Sequence, residues 1–125
     1  MQARTGPDGA LWIVDMYRYI IEHPRWIPPE EVAQLDVRAG HDKGRIYRVR
    51  PTDARLTQWG RLDQTGGAEL ANALKSPNGW RRDMAMQLMI WRNDREAIPT
   101  LKFLVGTSPQ SWTRLQALAT LDVLG

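Results

Sequence analysis

Apolar residues follow two different periods along this chain. From residue 6 to 51 they occur in short runs bounded by turn residues, whereas from residue 66 onward they recur at helical spacing. The run Ala10–Tyr17 has apolar side chains on both of its alternating faces, which predicts a strand that is covered on both sides. A second strand is predicted over Gly44–Arg50 and ends at Pro51.

The two predicted strands are joined by a long connection, from Arg18 to Lys43. A connection of this length within a compact unit is usually functional or locally structured. A short helix is predicted over Pro28–Leu35, because a proline fits the first turn of a helix and the two acids that follow face its positive end.

Four helices are predicted in the last part of the chain, each with an apolar stripe at helical spacing. They cover Ala68–Lys75, Trp80–Arg92, Glu96–Val105 and Trp112–Leu124. In the last of them the stripe assigned to the core contains Leu115, Leu118, Ala119 and Val123, and is broadened by Leu121 and Leu124. The chain therefore divides into residues 1–51, a linker over 52–65, and a helical part over 66–125.

The helical part repeats itself at an offset of 32 residues. The matching positions are Ser76-Pro77 with Ser108-Pro109, Trp80 with Trp112, Arg82 with Arg114, and Ala85 with Ala117. Each Ser-Pro predicts a helix start, with the serine as cap and the proline in the first turn. A two-helix unit that recurs at such a period is typical of an α-solenoid, and the alternative is a four-helix bundle with a chance match.

Composition mainly excludes classes of protein. With 125 residues, 42% hydrophobic, 25% charged and a net charge of +3, the chain has the composition of a folded globular protein. The absence of cysteine excludes disulfides, thiolate metal sites and a haem attachment motif within this chain. No apolar run reaches the length of a membrane span, and the first residues lack the apolar core of a signal peptide. Basic and acidic residues alternate, so no nucleic-acid partner is predicted.

Four segments, read together, resemble a known family. They are GPDGALWIVDMYR, IEHPRWIPPE, DVRAGHDKGRIYRVRP and SPNGWRRDMAMQLM, in that order. They resemble the large membrane-bound dehydrogenase-like proteins of planctomycetes and their relatives, which join a β-propeller similar to quinoprotein sugar dehydrogenases to HEAT-like repeats. The resemblance implies an α+β chain, with the end of a propeller and a long insertion in its last blade over residues 1–51. A truncated HEAT-like solenoid over residues 66–125 follows.

The same resemblance implies that the chain is an internal fragment of such a protein. The catalytic histidine and most quinone-contacting residues would precede Met1, so the catalytic residues are unknown and no cofactor is expected in this chain. The parent protein would use pyrroloquinoline quinone with calcium, and would carry haem c in a separate domain. Its partners would be the remaining propeller and solenoid, and it would lie outside the cytoplasm, in the periplasm or cell envelope.

Three residues are candidates for contacting a cofactor: Asp15, Arg18 and Arg45. Asp15 ends a strand that is apolar on both faces, so its carboxylate must be hydrogen-bonded or paired. It either contributes to the mouth of the propeller or fixes the turn after the strand. By the resemblance, a basic residue such as Arg45 approaches a quinone carboxylate or a sugar, and the alternative is a charged turn. No metal site is predicted, because the two histidines are far apart in the sequence.

Two functions follow from these observations. In the first, the chain is part of an enzyme that oxidises a sugar or related alcohol, and is inactive alone. In the second, it is a non-catalytic interaction module whose HEAT-like repeats bind another protein. Arg81, Arg82 and Arg92 on the predicted helix are interpreted as a solvated face.

Overall fold

The computed structural model describes residues 2–21, 23–55 and 57–125. They form two compact units, a sheet unit of residues 2–6 and 10–55 and a helical unit of residues 7–9 and 57–125. The described residues contain both strands and helices, which confirms the predicted class of mixed α and β structure.

The sheet unit contains three antiparallel strands in the order β1-β2-β3. They are β1 (Gln2–Thr5), β2 (Leu11–Asp15) and β3 (Arg45–Val49). The central strand pairs on both sides, with Gln2 opposite Val14 and Asp15 opposite Arg45. Both predicted strands are therefore present, and β1 is a third strand that the sequence patterns did not indicate.

The prediction that the first strand is covered on both faces is wrong for the residues that the structure describes. Leu11 is 43% exposed on one face of β2 and Val14 is 47% exposed on the other. On β3 the apolar Ile46 is 64% exposed and Val49 is 51% exposed. Both faces of the sheet carry apolar residues that are suited to burial, and the described residues leave both faces exposed to solvent.

The long connection between β2 and β3 is held by local turns. The described residues of this segment include helix α1 (Pro29–Val32), which has a proline in its first turn and two acids beside it, as the sequence predicts. Before α1, a 3-10 turn over Pro24–Trp26 begins where His23 Nδ1 accepts a hydrogen bond from the Arg25 backbone N–H at 3.2 Å. This histidine therefore acts as a cap of the turn.

The helical unit contains α2 (Gly67–Ala73), α3 (Gly79–Arg92), α4 (Ile98–Thr107) and α5 (Ser111–Leu124). All four predicted helices are present, with ends within two residues of their predicted positions. Asn93 ends α3 in the left-handed conformation, with φ of 47°, which asparagine adopts more readily than most residues.

The core of this unit lies between the four helices. Its fully buried large side chains include Leu70, Leu74, Met89, Leu101 and Leu104. Leu62 is also buried, although it belongs to the predicted linker, where it begins a 3-10 turn over Leu62–Gln64. Truncating such leucines to alanine typically costs about 2–5 kcal/mol, so this cluster provides the stability of the unit.

The core face predicted for α5 is wrong at three positions, whereas Leu124 is buried and Leu121 packs against the core as predicted. Leu115, Leu118 and Val123 are 67%, 57% and 58% exposed, whereas Thr113 and Thr120 are fully buried. The threonines tolerate burial because their hydroxyls donate hydrogen bonds, Thr113 to the Leu74 carbonyl at 2.9 Å and Thr120 to the Gln116 carbonyl at 2.6 Å. The helix thus leaves an apolar face open.

The arginines of α3 are partly solvated, with Arg92 exposed and Arg81 and Arg82 half-buried, and they also make defined contacts. Arg81 donates to the Gly60 carbonyl at 3.2 Å and stacks on Trp59, with 4.8 Å from its Cζ atom to the ring centroid. Arg92 donates to the carbonyls of Thr65 and Asp63, at 3.0 and 2.6 Å. These arginines fix the segment before α2 against α3.

The offset of 32 residues recurs in the structure. Helices α3 and α5 start and end at positions 32 apart, over 79–92 and 111–124. The Arg82 guanidinium donates to the carbonyls of Ser76 and Pro77, at 2.8 and 3.1 Å. The Arg114 guanidinium donates to the equivalent carbonyls of Ser108 and Pro109, at 2.7 and 3.1 Å.

The helix starts differ from the predicted Ser-Pro caps. The serine and proline both precede the cap, and Asn78 caps α3 by accepting a hydrogen bond from the Arg81 backbone N–H at 3.3 Å. Ser76 supports this cap, because its hydroxyl accepts a hydrogen bond from the Asn78 backbone N–H at 3.2 Å. The prolines therefore end the preceding segment, outside the first turn of each helix.

Replacing the two equivalent arginines tests what each contributes. Arg82 also donates to Gln116 Oε1 at 3.1 Å and lies over Trp112, so Arg82→Ala removes contacts between α3 and α5 as well as its local bonds. We expect Arg82→Ala to lower the free energy of unfolding by about 1–3 kcal/mol and Arg114→Ala by less than about 1 kcal/mol. Urea denaturation of both variants measures the difference, and equal losses would contradict it.

Candidate functional site

The three candidate residues meet at one end of the sheet. Antiparallel pairing places Asp15, at the end of β2, opposite Arg45, at the start of β3. Asp15 and Arg18 line one cavity with Lys43, Tyr17 and Tyr19, and this cavity has a volume of about 490 Å³. We call these residues, with Arg45, the sheet-end cluster.

Asp15 fixes the backbone that leaves β2. Its Oδ1 atom accepts a hydrogen bond from the Tyr17 backbone N–H at 2.9 Å. Tyr17 has a φ of 52°, in the left-handed region that non-glycine residues rarely adopt. The carboxylate thereby stabilises a bend that turns the ring of Tyr17 toward Arg45. This is the contact that the turn-fixing alternative for Asp15 requires.

Arg45 lies over the ring of Tyr17, with 4.0 Å from its Cζ atom to the ring centroid. Its guanidinium also donates hydrogen bonds to the Tyr47 hydroxyl at 3.3 Å and to the Lys43 carbonyl at 3.2 Å. The hydrogen bond with Tyr47 raises the pKa of Arg45 above its ordinary value, and the charge of Asp15 contributes in the same direction. Arg45 therefore remains a fixed positive charge beside two aromatic rings.

Arg18 anchors the far side of the connection. Its Nη2 atom donates a hydrogen bond to the Val37 carbonyl at 2.9 Å. Its Nε atom is buried and has no hydrogen-bond partner among the described residues. A buried donor of this kind favours an acceptor as partner.

The sheet-end cluster combines three cations, Arg18, Lys43 and Arg45, with one carboxylate. Guanidinium and ammonium groups pair with carboxylates or phosphates, and aromatic rings stack on planar ligands. The chemistry of the cluster thus suits a planar anion. The described residues contain no group of three or more His, Asp or Glu side chains that could hold a metal ion.

A second cavity, which the sequence patterns did not single out, lies in the helical unit. It has a volume of about 440 Å³ and is lined by the tryptophans Trp59, Trp80 and Trp91 together with Met84 and Leu88. Positions 80, 84, 88 and 91 recur at helical spacing on one face of α3, and two of them, Met84 and Leu88, also pack against the core of the helical unit. We call this second cavity the α3 cavity.

Charged residues border the α3 cavity. Arg61 and Asp63 line it and form an ion pair with two hydrogen bonds. The hydrogen bond from Arg61 holds the pKa of the Asp63 carboxyl below its ordinary value. Trp80 and Trp91 are 37% and 72% exposed, so the cavity opens to solvent.

Comparisons with known proteins assign no function to this chain. Residues 1–53 match the model of a family described as Domain of unknown function (DUF7133). The matched residues contain the three strands, α1 and the sheet-end cluster. No curated protein and no solved structure matches the chain. Across the described ranges, no helix has the length and apolar character needed to cross a membrane.

Proposed function

We propose that this chain belongs to a larger quinoprotein dehydrogenase-like protein of the planctomycete type. In this proposal the sheet unit is the end of a β-propeller and the helical unit begins a HEAT-like array. The parent oxidises a sugar or related alcohol outside the cytoplasm and passes electrons to haem c in a separate domain.

The observation that carries the proposal is the sheet with two open apolar faces. Leu11 and Val14 are exposed on opposite sides of the central strand, although both are residues that proteins bury. A propeller blade has four strands and packs between two neighbouring blades, which would cover both faces. The array is supported by a different observation, that Arg82 and Arg114 make the same hydrogen bonds at equivalent positions of the repeat.

The residues of the sheet-end cluster fit a quinone in part. Pyrroloquinoline quinone carries carboxylates on a planar ring system, and when bound it accepts the electrons and protons removed from an alcohol. Arg18, Lys43 and Arg45 would pair with its carboxylates, and Tyr17 would lie against its plane. The described residues offer no acidic cluster for calcium, so other parts of the parent would hold that ion.

The chain alone is expected to be inactive. When pyrroloquinoline quinone and calcium are added to the purified protein, we expect no sugar-dependent reduction of an electron-accepting dye. The physical reason is that one three-stranded sheet cannot enclose a cofactor that a propeller surrounds on all sides. Dye reduction that depends on the sugar would contradict this expectation.

The DNA around the coding sequence tests the proposal itself. We expect codons for further propeller strands before Met1, in the same or a shifted frame. Flanking DNA that encodes no propeller strands would overturn it and would favour the second function, an interaction module. That second function has its own support, because α5 exposes the apolar Leu115 and Leu118 to solvent.

A further inference from the structure

Helices α3 and α5 can be compared position by position. They have the same length, start 32 residues apart and make the same arginine contacts with the preceding Ser-Pro. Each face of one helix therefore has an equivalent face on the other. This equivalence allows the contact between α3 and α5 to serve as a template.

Helices α3 and α5 contact each other through surfaces that are not equivalent in the repeat. Gln116 Nε2 donates a hydrogen bond to Asp83 Oδ1 at 2.7 Å, and the Arg82 guanidinium donates to Gln116 Oε1 at 3.1 Å. Arg82 also lies over Trp112, with 5.6 Å from its Cζ atom to the ring centroid. The two surfaces in contact are thus the Asp83 side of α3 and the Gln116 side of α5.

The equivalent of the first surface is exposed, and the equivalent of the second is half-buried against the core but borders a cavity. Adding 32 to Asp83 and Met86 gives Leu115 and Leu118, which are 67% and 57% exposed. Subtracting 32 from Gln116 and Thr120 gives Met84 and Leu88, which line the α3 cavity. Within the described residues, the Leu115 face is exposed and the Met84 face is reached through the α3 cavity.

These two surfaces match each other in chemistry. The internal contact pairs two polar residues, Asp83 and Gln116, and at the equivalent positions both members are apolar, Leu115 and Met84. The arginine-tryptophan contact is conserved in kind, because Arg114 and Trp80 replace Arg82 and Trp112. Where the internal contact pairs a polar residue with a polar residue, the two equivalent positions pair an apolar residue with an apolar residue.

We propose that a second copy of this chain binds head to tail, with the Leu115 and Leu118 face of one copy seated on the α3 cavity of the next. This pairing is heterologous, because the two surfaces in contact differ. A copy inside a row of molecules therefore binds one neighbour through α5 and another through the α3 cavity. The pairing names a partner for the interaction role of the helical unit. It belongs to the second function, the interaction module, and is an alternative to the continued array of the first, in which a following repeat would pack on the same face of α5.

Disulfide cross-linking between copies tests the register of this contact. The natural chain contains no cysteine, so introduced thiols are the only ones present. By analogy with Asp83 and Gln116, a cysteine at 115 of one copy lies next to a cysteine at 84 of the other. Full-length Leu115→Cys and Met84→Cys proteins are mixed under air oxidation, and the cross-linked peptides are identified by mass spectrometry.

We expect the 84–115 disulfide to exceed both like pairs, 84–84 and 115–115. Phe103→Cys is the matched control, because Phe103 is 62% exposed on α4 and lines neither surface. Mixed with Met84→Cys, it should give no more than the background of random collisions. Leu118→Glu added to the Leu115→Cys chain should abolish the 84–115 product.

Two results would overturn the inference. One is a yield of the 84–115 product no higher than that of the Phe103→Cys control, which would mean that the α5 face has another occupant or none. The other is an excess of 115–115, which would indicate a symmetric dimer through α5. Circular dichroism of each variant confirms that it is folded, and Trp91→Cys is the substitute at the exposed rim of the cavity if Met84→Cys unfolds. Neither result affects the DNA test of the propeller proposal.

Discussion

The substitution Gly67→Ala is expected to lower the free energy of unfolding of the helical unit by about 3 kcal/mol. Gly67 is the buried first residue of α2. A methyl group there would lie 2.7 Å from the Asp94 carboxyl carbon and 2.9 Å from the Ala97 backbone nitrogen. Overpacking of this kind typically costs about 1–3 kcal/mol, and the value should lie at the upper end because the Ala97 backbone nitrogen cannot move aside even if the Asp94 side chain does.

The neighbouring glycine provides the control. Gly66 precedes α2 as its cap, and a methyl group added there meets no atom within 4 Å. Gly66→Ala should change stability by less than about 1 kcal/mol, since a less favourable cap and a stiffer unfolded chain oppose each other. Urea denaturation followed by circular dichroism measures both variants. Equal losses for the two would show that the contact between α2 and the Asp94–Ala97 segment is not tight.

The ends of the helices could be predicted because several signals agree there. Helix α3 was predicted from apolar residues at helical spacing and from the Ser-Pro before it, which lies within three residues of the true start although Asn78 is the cap. A proline fits a helix only in its first turn, and Pro99 lies in the first turn of α4, after a 3-10 turn over Arg95–Ala97. The ends of these helices depend on residues next to them in the sequence, so they can be predicted without knowledge of the tertiary packing.

The orientation of α5 could not be predicted, because the helix has two faces that are suited to burial. Its leucines are more apolar than Thr113, but Thr113 lies against the end of α2, where the Leu74 carbonyl accepts its hydroxyl proton. Which face is buried depends on where the neighbouring helix offers an acceptor. That information comes from tertiary packing and not from the apolar period.

The candidate site was predictable only where the sheet determines it. Asp15 and Arg45 end up opposite each other because the register of β2 and β3 places them there. Arg18 and Gly40 join them through the connection, which has no period that a sequence pattern could indicate. Strand β1 was missed because its four residues alternate without a strong apolar face.

The path of that connection depends on Gly40. The substitution Gly40→Ala is expected to separate the segment around Gly40 from the segment around Tyr17. A methyl group at Gly40 would lie 3.0 Å from the Tyr17 carbonyl carbon and closer still to its oxygen. Gly40 also has a φ of 76°, where a side chain costs about 1–2 kcal/mol by itself. Together with the clash, we expect local destabilisation of about 3 kcal/mol.

Hydrogen exchange measures this opening where it occurs. The Tyr19 backbone N–H donates to the Ala39 carbonyl at 3.3 Å, so its protection should fall most in Gly40→Ala. Gly9→Ala is the matched control, because Gly9 has a φ of 83° but no atom within 4 Å of an added methyl group. The control places the same backbone strain away from Tyr17, so it should leave the Tyr19 amide protected. If Tyr19 exchanged equally fast in both variants, the sheet-end cluster would not depend on the contact between Gly40 and Tyr17. The bend at Tyr17 would then rest on Asp15 alone.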